Sequence, residues 1–155
     1  MRTNRRELAR ELREHPFLQG LDPGFLDAIE GATKEREFAT GDPVIREGEP
    51  AGELILVLQG KIGLELVAPD RPRLSLLTVG PGEIVGWSWL LPPRIWQVDG
   101  RALKATRVLT IDGNALLKVL EDRPKDAYRF MLRLVPVISR RLQIARIQVM
   151  DIHAV

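Results

Sequence analysis

Residues 41–62 read GDPVIREGEPAGELILVLQGKI, a stretch in which glycines separate short runs of β-forming residues. Gly41, Gly48 and Gly60 can adopt the positive φ angles that tight turns require. The runs between them, at residues 43–45 and 53–58, have the length and composition of strands. The stretch therefore predicts consecutive short strands joined by tight turns, which is typical of a sandwich or a barrel.

The same alternation of strands and turns extends on both sides of this stretch, over residues 34–112. Further turn signals occur at Pro69-Asp70 and around Gly80 and Gly82. The sequence predicts eight strands, at residues 35–38, 43–45, 53–58, 61–67, 73–79, 83–85, 97–103 and 107–111. Eight short strands suit a closed or nearly closed roll. We therefore predict an α+β fold built on a double-stranded, jelly-roll-like β-roll.

Helical patterns flank the roll, so that residues 1–155 form one domain. Residues 1–33 carry apolar side chains at helical spacings, and the break near Pro16 predicts two helices. Residues 113–155 predict one helix that ends before Pro124 and a long helical stretch after it.

Pro136 lies inside this last stretch. Because proline removes an intrahelical hydrogen bond, we expect a kink or two successive helices that meet near Val135. Beyond it, apolar residues follow the 4-3-4-3 spacing of a coiled-coil seam, namely Ile138, Leu142, Ala145, Val149 and Ile152. This stripe either packs onto the roll of its own chain or pairs with a second copy. Since Arg140, Arg141 and Arg146 flank it and should stay in water, we predict a homodimer built on a C-terminal dimerisation helix.

The composition excludes several kinds of chemistry. The chain has no cysteine, which removes disulfides, thiolate nucleophiles and cysteine-ligated metals. Its two histidines, His15 and His153, both lie outside the roll, so no metal site is predicted. The sequence contains no phosphate-binding loop and no nucleophile elbow. We predict that the chain is not an enzyme.

Charge and hydropathy limit the partners. The 23 basic and 21 acidic residues are interleaved, which indicates a mixed, solvated surface rather than a patch for a polyanion. No apolar run approaches the roughly 18 residues of a membrane span, and the N-terminus lacks the apolar stretch of a secretory signal. We expect a cytoplasmic protein that has no membrane partner and does not by itself bind DNA.

All three tryptophans fall within residues 86–97, GWSWLLPPRIWQ. One interpretation is that they are core or interface aromatics that close one end of the roll. The other is a rigid loop and a short helix beginning at Gly86, whose free amides and Arg94 hold a small anion. The candidate ligand-binding residues are Gly86, Trp87, Ser88, Trp89, Arg94, Trp96 and Gln97.

From about Pro16 to Val155 the sequence resembles the cyclic-nucleotide-binding domain of the catabolite activator protein superfamily. The resemblance implies a β-roll whose cassette after Gly86 binds a cyclic nucleotide or another small anionic ligand, with no other cofactor. It also implies a helix that pairs two copies. The motifs that carry it are residues 41–62, PGEIVG at 81–86, RALKAT at 101–106 and RRLQ at 140–143.

The sequence departs from the family at the positions that contact the nucleotide. Trp87 stands where the family has the Glu that takes the ribose hydroxyl, and Trp96 stands where it has the Arg that pairs with the phosphate. Arg94 lies two residues earlier, while Ala145 and Arg146 replace the hydroxyl pair that reads adenine. The cassette is similar to that of stand-alone members, which end soon after the dimer helix and lack a helix-turn-helix.

These patterns predict a non-catalytic, ligand-sensing regulatory module in which a small-molecule effector shifts the packing of the C-terminal helices. One alternative is a ligand-free protein-interaction scaffold whose pocket is filled by its own tryptophans. Another is the sensor part of a DNA-binding transcription regulator.

Overall fold

The computed structural model describes residues 4–153, with side chains described for residues 4–151. The described part contains helices before and after a set of short strands. In chain order the elements are α1 (Arg5–Glu14), α2 (Pro23–Glu30), β1 (Thr33–Phe38), β2 (Pro43–Ile45), β3 (Glu53–Gln59), β4 (Ile62–Leu66), β5 (Leu74–Val79), β6 (Asp99–Ala102), β7 (Thr106–Asp112), α3 (Gly113–Asp122) and α4 (Pro124–His153).

The strands form two antiparallel sheets. One has the order β1-β7-β3 and the other has the order β2-β6-β4-β5. This arrangement, with helices at both ends of the chain, confirms the predicted α+β fold with a β-roll.

Strand β3 is buried on both faces, which explains its continuous apolar run. Leu54 and Leu56 pack into a core shared with the helices, whereas Ile55 and Val57 pack into the core between the two sheets. Successive side chains of a strand point to opposite faces, so one strand serves two cores. The three-stranded sheet therefore separates a helical layer from the interior of the roll.

The first half of α4 is anchored in the helical layer by Phe130, which is 0% exposed. Its ring meets those of Phe17, Phe25 and Trp89 edge-to-face, with centroids 5.4, 6.1 and 6.0 Å apart. Arg133 adds hydrogen bonds from its guanidinium to the carbonyl of Phe17 (3.1 Å) and to that of Gln19 (2.7 Å). These contacts fix the direction in which α4 extends from the helical layer.

Seven of the eight predicted strands are confirmed, and the prediction for residues 83–85 is wrong. That segment runs beside β3 but makes only an isolated bridge between Ile84 and Leu56. The N–H of Val85 donates to the carbonyl of Ile55 at 3.0 Å. Because the chain turns at Gly82, where φ is +85°, and enters the loop after Val85, the pairing stays too short to form a strand.

Helix α4 is continuous through Pro136, so the alternative of two successive helices is wrong. Pro136 lies on the exposed side of the helix. Because proline has no N–H, the carbonyl of Leu132, four residues earlier, has no helical hydrogen-bond donor. This carbonyl lies on the side of the helix that faces water.

Within residues 4–153, none of the helices is both long enough and apolar enough to span a bilayer. Across the side chains of residues 4–151, no cluster of three or more histidine and carboxylate side chains has the arrangement of a metal site.

Candidate ligand-binding cavity

Residues 86–97 form a loop of tight turns that is held against the turn at residues 48–51. The N–H of Gly48 donates to the carbonyl of Trp96 at 2.8 Å, and the N–H of Trp96 donates to that of Glu49 at 2.9 Å. The N–H of Ala51 donates to the carbonyl of Arg94, also at 2.9 Å. These bonds explain why the glycine-cornered hairpin and the tryptophan-rich loop lie side by side.

The short helix at Gly86, which belonged to the second interpretation of this segment, is not formed. Pro92 and Pro93 follow within one to two turns, and neither can donate the hydrogen bond that would continue a helix. The loop therefore offers no helix N-terminus to an anion.

The three tryptophans occupy different environments. Trp89 is 1% exposed, packs in the helical core and donates from Nε1 to the carbonyl of Gly86 at 3.2 Å. Trp96 packs in the core between the sheets, and Trp87 is half-buried. Trp89 is a core residue, as the first interpretation expects, whereas Trp87 and Trp96 line a cavity.

The cavity has a volume of about 220 Å³ and lies between the loop, the four-stranded sheet and α4. The sheet contributes apolar side chains, among them Leu64 and Leu77. From the predicted set, the loop contributes Gly86, Trp87, Ser88, Trp96 and Gln97. These five residues lie on the loop side of the cavity, and their contact with a ligand stays a prediction.

Arg94 and Trp89, which the sequence also placed in the site, do not line this cavity. Arg94 is exposed, has a φ of +54° and borders a separate, open depression with Lys118 and Glu121 of α3. Its backbone carbonyl accepts a hydrogen bond from the N–H of Ala51. The structure does not bring it together with Trp87 and Trp96.

Helix α4 forms the remaining wall through Arg141, Ile144, Ala145 and Gln148. Sequence reasoning assigned Arg141 to the wet face of the helix, and that assignment is wrong. The signal that could have identified this wall is the spacing of the four residues, which lie at i, i+3, i+4 and i+7 and so share one face of a helix.

Arg141 links α4 to the start of the loop. Its guanidinium donates to the carbonyl of Val85 at 2.6 Å and also to the carbonyl of Ile84. The Cζ atom lies 5.7 Å from the ring centroid of Trp87, within the range of a cation–π contact. Burial lowers the pKa of Arg141, while the charge of Glu83 partly opposes this effect.

The predicted dimer seam divides between two faces of α4. Ile138 is partly buried against the helical core, and Ala145 borders the cavity although it is exposed. Leu142 and Val149 are 61% and 56% exposed, as a seam requires. The side chain of Ile152 lies outside the described residues.

A longer exposed apolar row continues the line of Leu142 toward the start of the helix. We call it the α4 stripe, and it consists of Tyr128, Leu132, Val135 and Leu142, which are 66, 56, 57 and 61% exposed. Their spacings of four, three and seven residues keep them on one face. The stripe shares Leu142 with the predicted seam, and the pairing of two copies through either row stays a prediction.

A β-roll with a cavity between a loop and a C-terminal helix defines a class of small binding domains, and the comparisons with known proteins identify the family within it. The chain belongs to the cyclic nucleotide-binding domain family, whose model matches residues 35–123. This match confirms the resemblance seen in the sequence.

The relatives include regulators of transcription. The chain is 27% identical over 127 residues to a CRP-like cAMP-activated global transcriptional regulator of Mycobacterium tuberculosis, covering 82% of this chain and 55% of the relative. The chain thus spans about half the length of that protein. The N-terminal domain of a transcriptional regulator from Streptomyces coelicolor superposes with a TM-score of 0.64 at 29% identity, covering 89% of this chain and 94% of the other.

A cyclic nucleotide-binding domain from Methylobacillus flagellatus has the same fold. It superposes with a TM-score of 0.79 at 17% identity and covers 94% of this chain and 84% of its own.

Proposed function

We propose that the chain is a non-catalytic, ligand-sensing regulatory module whose effector occupies the cavity between residues 86–98 and α4. The observation that carries the proposal is that one cavity has the loop on one side and α4 on the other. An effector there contacts Trp87 and Trp96 as well as Arg141 and Ile144. Its binding free energy therefore depends on how α4 is docked, which is the requirement for a ligand-driven shift in helix packing.

The family implies a cyclic nucleotide, but the residues present do not fit one well. None of the described residues that line the cavity is a carboxylate that could accept the ribose hydroxyls. Arg141 is the one cation among them. The indole rings of Trp87 and Trp96 occupy the positions where the resemblance places the ribose-binding and phosphate-binding side chains. We therefore propose a different effector for this cassette.

The test of sensing uses thermal unfolding and tryptophan fluorescence with a panel of cyclic nucleotides and small aromatic acids. We expect at least one compound to raise the unfolding temperature and to change the emission of Trp87 and Trp96. Leu77→Trp fills the cavity and should abolish both effects.

Leu74→Trp is the matched control, because Leu74 lies on the same strand but is 44% exposed and does not border the cavity. A ligand effect that survives Leu77→Trp would contradict the location, and a panel without any effect would contradict sensing. A ligand-free scaffold, whose pocket would be filled by its own tryptophans, is less well supported. Trp87 and Trp96 form walls of a cavity rather than filling it, and Trp89 lies outside it.

We further propose that the chain acts as a homodimer through the α4 stripe. In a DNA-binding regulator it would be the sensor, and another domain or protein would contact the DNA. Large apolar side chains aligned on one helix face favour a partner, and a second copy offers the same face by two-fold symmetry. The relatives that regulate transcription support a role as the sensor of such a regulator. A gel shift at physiological salt should show no DNA binding by this chain, and a specific retarded complex would contradict that division of roles.

A further inference from the structure

We propose that the cavity selects a small apolar carboxylate, whose body lies against the indole rings of Trp87 and Trp96 and whose carboxylate binds Arg141. The inference rests on the proposed function, because it names the class of effector for the same cavity.

The walls require an apolar ligand body. Besides the two indole rings, Leu64, Leu77 and Ile144 face the cavity. A hydroxyl or amide placed against these side chains loses its water without gaining a hydrogen bond, which disfavours binding. The volume of about 220 Å³ lies below the range of about 300–1,000 Å³ that is typical of sites for drug-sized ligands, so the ligand is small.

The polar side chains at the cavity are those of Ser88, Gln97, Gln148 and Arg141, and of these only Arg141 is charged. Gln148 donates from Nε2 to the carbonyl of Leu76 at 2.6 Å, and Gln97 donates from Nε2 to that of Ile95 at 3.2 Å. One N–H of each amide is thereby used to hold the sheet or the loop. Arg141 is the one lining residue, among those described, that carries a formal charge.

Arg141 has donors to spare and no countercharge in contact. A guanidinium has five N–H donors, and the two carbonyls of Ile84 and Val85 use two of them. Among the side chains of residues 4–151, no carboxylate lies within ion-pair distance of it. Charges that are withdrawn from water are normally paired, and the planar guanidinium matches the two oxygens of a carboxylate.

The protein also positions this guanidinium before any ligand arrives. The two carbonyls fix its plane, and the ring of Trp87 lies on one side of it. A group that is already oriented loses less entropy on binding, so the ligand gains more from the contact. The same contacts place the charge at the junction of α4 and the loop, where a bound carboxylate alters the docking of α4.

The experiment compares acids with their neutral amides by calorimetric titration of the whole chain. The probes are phenylacetate against phenylacetamide and hexanoate against hexanamide, with cyclic AMP and cyclic GMP as the nucleotide comparison. We expect each acid to bind at least about 10-fold more tightly than its amide, as expected for one charge-assisted hydrogen bond. Arg141→Gln should lower the affinity for the acids to that of the amides.

Arg140→Gln is the matched control, since Arg140 is the exposed neighbour on the same helix and does not border the cavity. It should leave the affinities for acids and amides unchanged. Arg141→Lys keeps the charge but not the planar, two-pronged set of N–H donors, and it should retain part of the preference for acids. If Arg141→Gln does not fold, the preference of the unmodified chain and of Arg141→Lys still decides the question.

Equal affinity for acid and amide, or an acid preference that persists in Arg141→Gln, overturns the inference. Cyclic nucleotides or amides that bind where the acids do not would also overturn it, while leaving the proposed sensing function intact. Failure of every probe, nucleotides included, overturns both.

Discussion

His15 is a buried histidine, 2% exposed, whose ring nitrogens are both engaged. Nδ1 accepts from the N–H of Phe17 at 3.2 Å, and Nε2 lies 3.0 Å from the carbonyl of Val57, to which it donates. Burial lowers the pKa of His15, and the bond to Val57 opposes this only in part. A second ring proton would displace the N–H of Phe17 from Nδ1, so the folded chain keeps this histidine neutral.

The pKa of His15 predicts a loss of stability in acid. Because the unfolded chain takes up a proton near pH 6.5 and the folded chain does not, the contribution of His15 is complete above about pH 6.5. Below that pH the free energy of unfolding should fall by up to about 1.4 kcal/mol per pH unit until the folded pKa is reached. Urea unfolding at pH 7.5 and pH 5.5 measures the loss. His15→Gln should be less stable at pH 7.5 but should lose this part of the slope, and an unchanged slope would argue against the assignment.

Substitutions of Gly60 and Gly41 distinguish the cost of backbone strain from the cost of steric crowding. Both have φ in the left-handed region, at +97° and +90°. A Cβ on Gly60 would lie 2.5 Å from the carbonyl oxygen of Ala105 and 2.6 Å from Cα of Thr106, whereas one on Gly41 would meet nothing within 4 Å. We expect Gly41→Ala to cost about 1–2 kcal/mol, the penalty of the conformation alone, and Gly60→Ala to cost clearly more. Chemical denaturation of the two variants compares them directly, and equal losses would refute the role of crowding.

Helix α4 depends on Phe130 for its attachment to the helical layer. Phe130→Ala removes a fully buried ring that meets three others edge-to-face. We expect it to lower the free energy of unfolding by about 3–5 kcal/mol, measured by chemical denaturation. Arg129→Ala, at an exposed neighbouring position, should change it by no more than about 0.5 kcal/mol. A small effect of Phe130→Ala would mean that α4 is held mainly by its contacts with the roll.

The elements that the sequence predicted well are those with a strong local signal. Strand β2 was predicted at its observed bounds because Gly41 and Gly48, with φ angles of +90° and +85°, limit it on both sides. Residues 83–85 were misassigned because a strand also needs a partner of sufficient length, which no local pattern reports. The burial of Arg141 could not be predicted for the same reason, because it depends on where the loop from Val85 to Trp87 passes across α4.

At the scale of the whole molecule, α4 joins the cavity to the surface that we propose for pairing. Arg141 faces the cavity, whereas its neighbour Leu142 is 61% exposed on the α4 stripe. An effector that changes the docking of α4 must therefore also change the affinity between two copies, and the coupling is reciprocal. Sedimentation of the chain with and without the effector should show a shift in the dimer dissociation constant, and an unchanged constant would exclude this route of signalling.

The dimer itself is tested by placing charges on the α4 stripe. Leu132 and Leu142 are 56% and 61% exposed, so Leu132→Glu combined with Leu142→Glu should leave the fold of each chain intact. In a two-fold dimer each introduced carboxylate faces a like charge on the other copy, and the two repel each other. Each carboxylate also loses its contact with water without gaining a partner. We expect light scattering to give twice the 17.5 kDa of the chain for the unmodified protein and the single mass for the variant. Gln143→Glu, which adds a charge at an exposed polar position beside the stripe, should remain dimeric. A monomeric unmodified protein, or a double variant that still pairs, would contradict pairing through the stripe.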